Sequence, residues 1–116
     1  MIPTAYIMTY SGLRNPEKEL LQEEVDTLND LVSKLDHPFP GATNPHLGFS
    51  GYSASLSDEK YVIASLWGYI QVFGTSGESV AYSDTTGVLA HLCKIMTPVM
   101  IRHNEELALW SHVFPL

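Results

Sequence analysis

YVIASLWGYIQVF, residues 61–73, is the longest apolar run in the chain, and its reading decides the fold. Ser65, Gly68 and Gln71 interrupt it, and it falls short of the roughly 20 residues that span a bilayer. Its β-branched and aromatic content is that of a strand. Apolar side chains fall on both parities: Val62, Ala64, Leu66, Ile70 and Val72 on one, Tyr61, Ile63, Trp67, Tyr69 and Phe73 on the other. Such a strand is either central and buried on both faces, or bent at Gly68 where the facing parity changes.

The flanks read as hairpin partners. Residues 49–56 form a short strand of small residues, weakened by Gly51, and residues 57–60 form a turn. Downstream, residues 74–78 (GTSGE) have the length and composition of a hairpin loop, and residues 79–82 return as a strand. Residues 2–10 read as a first strand, with Pro3 at its start, where no ladder donor is required.

Two helices complete the pattern. Asn15 and Pro16 suit an N-cap and a first helical position, and Glu17 and Glu19 suit the positive end of the helix dipole. Leu21, Val25, Leu28, Val32 and Leu35 recur at steps of four and three, so the spacing predicts one apolar stripe on a helix over residues 16–35. His37-Pro38 closes it. Residues 36–48 (DHPFPGATNPHLG) carry three prolines and two glycines and read as a loop, long enough for a functional role. Ser83, Asp84 and Thr85 offer caps for a second helix with an apolar face of Val88, Leu89, Leu92, Ile95 and Met96, which Pro98 ends or kinks. The tail, residues 99–116, fits a short helix or a last strand, with the strand ahead. The expected architecture is a single α+β domain over residues 1–116. It has a mostly antiparallel sheet with two helices packed on one face, in the order β-α-β-β-β-α with a final β.

Composition excludes more than it assigns. The 116 residues are 45% hydrophobic and 16% charged, enough for one core and too lightly charged for a disordered chain. Six Lys and Arg against thirteen Asp and Glu leave a net charge of −7. With no basic cluster, neither nucleic acid nor an anionic membrane is expected as a partner. Residues 1–10 lack the positive segment and small-residue cleavage pattern of a secretory signal. The one cysteine, Cys93, permits no internal disulfide, so a reduced, cytoplasmic setting is expected.

No catalytic or metal constellation stands out, and no cofactor is expected. The five histidines are scattered, with no HExxH, and His91 and Cys93 lie two apart on a helix and point to different sides. Neither GFSG (48–51) nor GTSG (74–77) completes a nucleophile elbow or a phosphate loop. Adjacent acids, Asp58-Glu59 and Glu105-Glu106, fit turns and helix starts.

Two surfaces remain as candidates for binding. Glu19, Glu23, Asp26 and Asp30 recur at four, three and four, opposite the apolar stripe. They are either a docking ridge for a basic partner or a plain solvated face. The second is the aromatic sheet region, Trp67 and Tyr69 above all. If helices cover one face only, the other exposes large apolar groups and marks an interface; otherwise these residues are core. The first expectation is therefore a non-catalytic accessory protein of inhibitor, immunity or adaptor type, binding another protein or forming a homodimer. The alternative is a small-molecule binder, with Phe39, His46, Tyr52 and Trp67 lining a pocket under the 36–48 loop. An enzyme is the least supported.

Overall fold

Gly68 reverses the chain. The computed structural model describes residues 2–8, 16–40 and 51–113, with residues 106–113 described by their backbone alone. Its elements are β1 (Thr4–Met8), β2 (Glu17–Glu19), α1 (Gln22–Ser33), β3 (Gly51–Ser57), β4 (Lys60–Ser65), β5 (Tyr69–Phe73), β6 (Ser79–Ser83) and α2 (Val88–Val113). The strands form one antiparallel sheet in the order β2-β1-β3-β4-β5-β6. The α+β class and the one-sided placing of the helices are as the sequence indicates.

The 61–73 run is two strands, not one. Leu66, Trp67 and Gly68 form the turn between β4 and β5, with Gly68 at φ +90°, where a side chain is strained. The Gly68 N–H donates to the Ser65 carbonyl (3.2 Å), and the Trp67 N–H to Ser65 Oγ (3.0 Å). The facing parity does not change across Gly68. Val62 opposes Val72 and Ala64 opposes Ile70, so even positions face one side of the sheet in both strands, and Tyr61, Ile63, Tyr69 and Phe73 face the other.

The helices cover the even side. Ala5, Ile7, Tyr52, Ala54, Val62, Ala64 and Ile70 from the sheet meet Val25, Leu28 and Val32 of α1 and Val88, Leu92, Met96 and Val99 of α2 in one core. α2 starts where Asp84 caps it: its carboxylate accepts the N–H groups of Gly87 (3.1 Å), Val88 (2.9 Å) and Leu89 (3.1 Å). Thr86 Oγ1 donates to the Leu31 carbonyl at 2.8 Å and ties this end to α1.

Three further expectations need correction. First, the helix does not begin at Pro16. Residues 17–19 pair with β1, Thr4 opposite Glu19 and Tyr6 opposite Glu17, and the Leu20 N–H reaches the Pro3 carbonyl at 2.8 Å. The free edge of β1 outcompetes the local helix signals. The helix starts after Leu21, whose N–H donates to Glu24 Oε1 at 2.8 Å. Leu21 is exposed rather than part of the stripe. Second, residues 99–113 continue α2 instead of forming a strand. Pro98 lies on the exposed side, while Leu92, Ile95, Met96 and Val99 keep one buried helical stripe through it. Third, the start of the 36–48 segment is not plain loop. His37 O accepts from the Ser83 N–H (2.7 Å) and the Phe39 N–H donates to Ala81 O (3.0 Å), so residues 37–39 line the outer edge of β6. Pro38 fits between them because an edge position needs no donor there. No described helix is long and apolar enough to cross a membrane.

Candidate docking surface

Alternation in GYSASLS, residues 51–57, separates the two sides of the sheet. Tyr52, Ala54 and Leu56 point into the core, and Ser53 and Ser55 point to the odd side. Cross-strand pairing builds two rows there. One runs Glu17, Tyr6, Ser53, Ile63, Gln71, Ala81, and the other Glu19, Thr4, Ser55, Tyr61, Phe73, Ser79. Thr4 and Ser53 are buried within these rows, as is the opposite end of this face at Met8, Ser65 and Tyr69. Tyr6, Tyr61, Ile63, Gln71 and Phe73 are half-buried. The Tyr61 and Phe73 rings pack with centroids 5.8 Å apart, and Phe39 packs on Tyr69 at 5.2 Å. Gln71 Nε2 donates to Ser79 Oγ at 3.2 Å. The core residues of both helices pack on the other side of the sheet.

Around the corner from Phe73 lies a cavity of about 420 Å³ on the helix side of the sheet end. Its apolar wall is Val72, Val80 and Tyr82, and Glu59, Lys60 and Glu78 stand around it. Phe73 lines it too, which makes it continuous with the aromatic rows. Val80 is 50% exposed although it sits on the side of the sheet that carries the core. The Ser76 hydroxyl donates to the Glu78 carboxylate, and this bond above all holds its pKa below the ordinary value.

The chain matches no protein-family model, no curated protein and no solved structure.

The residues singled out from sequence do not form one site. Glu23, Asp26 and Asp30 are exposed on α1, but Glu19 is on β2, so the four do not form one helical row. Asp26 accepts from Gln22 (2.9 Å) and Asp30 pairs with Lys34 (3.0 Å), while Glu23 borders a groove between the helices with His91 and Lys94. Beside it, Lys18 bridges to Glu24 at 2.8 Å. Burial works against the Glu24 charge, but Lys18 and the Leu21 N–H outweigh it and hold the carboxyl below its usual range. Phe39 joins Tyr69 on the odd side. Tyr52 lies on the other side, in the core, and Trp67 stands 52% exposed on the β4–β5 turn. His46 lies outside the described residues. Tyr6, Ile63 and the cavity residues were not among the sequence candidates. The signal for the two on the face was parity: they alternate with core residues, as Ser53 and Ser55 do.

Among the described residues no three His, Cys, Asp or Glu side chains converge as a metal centre requires. Cys93 is exposed, and the Tyr52 hydroxyl reaches its Sγ at 3.8 Å. Burial, with this contact adding to it, pushes the Tyr52 pKa up to about 12. An unfolded tyrosine ionises near 10. Between these values the unfolded chain releases a proton that the folded chain keeps, so stability falls as pH rises through the window. Urea unfolding from pH 9 to 12 will show a steeper loss for the natural chain than for Tyr52→Phe. Parallel curves would disprove the shift.

Proposed function

We propose that this protein is a non-catalytic binding module that docks another protein through the half-buried end of its odd sheet face. The observation that supports the reading is the one-sided covering of the sheet: both helices pack on the even side, while Tyr6, Tyr61, Ile63 and Phe73 make a contiguous aromatic and aliphatic patch on the other. Patches of this kind, centred on tyrosine and rimmed by small polar groups, mark interfaces on soluble domains. Ser55 and Ser79 supply polar groups at its border without adding bulk. An inhibitor, immunity or adaptor role in the cytoplasm fits a small acidic domain.

The test places a photo-crosslinking amino acid at Ser79, on the proposed face, or at Ser33, on the outer side of α1, in cells of the source organism. A discrete crosslinked protein at position 79 is expected, lost when Tyr61 is changed to Glu and absent at position 33. Equal crosslinking at both positions, or persistence in the Tyr61→Glu chain, refutes the reading.

A further inference from the structure

We infer that the partner presents a basic side chain, lysine or arginine, which enters the cavity between Glu59, Glu78 and Tyr82 while the flanking partner surface covers Tyr61 and Phe73. This rests on the docking reading above and specifies its occupant. The cavity has the two parts that such a side chain matches. Val72 and Val80 form an apolar wall for a methylene stem, and Val80 is half exposed, so covering it removes apolar surface from water. Two carboxylates, Glu59 and Glu78, and two aromatic rings, Tyr82 and Phe73, line the same cavity, with Lys60 the one cation among its described lining residues, and carboxylates and rings are the groups that attract a cationic head. Glu78 is held in its charged form by the hydrogen bond from Ser76.

Charge selects against the other occupants. The local balance of two carboxylates to one ammonium follows the net charge of −7. An acidic partner would meet repulsion from Glu59 and Glu78 together. A second copy offers few cations, with six Lys and Arg against thirteen Asp and Glu, and brings the same net charge of −7. A guanidinium or ammonium on a flexible stem is the complementary group.

Fluorescence anisotropy with labelled hepta-arginine and hepta-glutamate peptides tests this on the full chain. Three proteins are compared: the natural chain, Glu59→Gln with Glu78→Gln, and Glu23→Gln with Asp26→Asn. The last removes the same charge from α1. Saturable binding of hepta-arginine, weakened about tenfold by the cavity pair and less than about twofold by the α1 pair, is expected. Hepta-glutamate should not bind. Equal weakening by both pairs overturns the site, since the attraction would then be diffuse, and so does absence of hepta-arginine binding. The crosslink at Ser79 separates this failure from that of the docking reading. A crosslinked partner whose contact surface is acidic, or is a second copy of this chain, overturns the basic occupant and leaves the docking face standing.

Discussion

Gly51→Ala will cost about 3–5 kcal/mol of folding stability, a large share of the roughly 5–15 kcal/mol that holds a domain of this size. Gly51 opens β3 at φ +139°, a backbone conformation L side chains rarely adopt, which alone costs about 1–3 kcal/mol. A Cβ there would also stand 2.1 Å from the Ala64 carbonyl oxygen, with the Ala64 carbonyl carbon at 3.1 Å and Ser65 Cα at 3.2 Å. All three are main-chain atoms of the paired strand, so no side chain can swing aside, and β3 must draw away from β4. The strain then spreads, because Gly51 lies between Met8 of β1 and Ser65 of β4 in the interior of the sheet. Gly77→Ala is the matched control. Gly77 has φ +81°, and a methyl group added there would meet nothing within 4 Å, so only the backbone term applies, about 1 kcal/mol. Urea unfolding of the two variants should separate them by about 2 kcal/mol or more. Equal midpoints would show that β3 and β4 are not so close at Gly51.

The same glycine shows where sequence reasoning stops. Gly51 counts as a weakness in a strand by composition, yet its need comes from an approach between residues far enough apart in the chain to leave no local trace. The class of the fold was legible because it rests on local periodicity: the stripe from Val25 to Leu35, the cap at Asp84 and the hairpin loops. Errors arose where a distant partner overrode a local signal. Asn15-Pro16-Glu17 carries good helix-start chemistry, but β1 offers residues 17–19 a ladder, and ladder bonds to an otherwise unpaired edge win. Pro98 reads as a stop, yet the buried stripe through Val99 holds the helix together on its inner side. The candidate surface was partly legible for a similar reason. The aromatic residues were visible as a group, but which of them share a side depends on register. Tyr52 and Tyr69 look equivalent in sequence and lie on opposite faces, and the cavity at Glu59 and Glu78 exists only because two hairpins end side by side.

Register also predicts that two isoleucines in adjacent strands will behave in opposite ways. Ile70, on β5, is wholly buried against the helices. Ile70→Ala removes packing at the centre of the core and should cost about 2–5 kcal/mol, lowering Tm by roughly 10 °C or more. Ile63, on β4, faces the odd side, half-buried between Ser53 and Gln71. Ile63→Ala should cost about 1 kcal/mol, since part of its side chain already meets water. The order reverses for docking. Below its melting temperature Ile70→Ala leaves the odd face intact, so the crosslink from Ser79 should persist. Ile63→Ala removes an apolar group from the middle of the proposed interface and should weaken the crosslink about tenfold. Thermal unfolding and crosslinking of the same two proteins therefore divide a docking face from a second buried core. If Ile63→Ala destabilises as much as Ile70→Ala, the odd face is packed interior and the aromatic rows serve stability. If the two effects divide as stated, the even side of the sheet holds the fold and the odd side is free to bind.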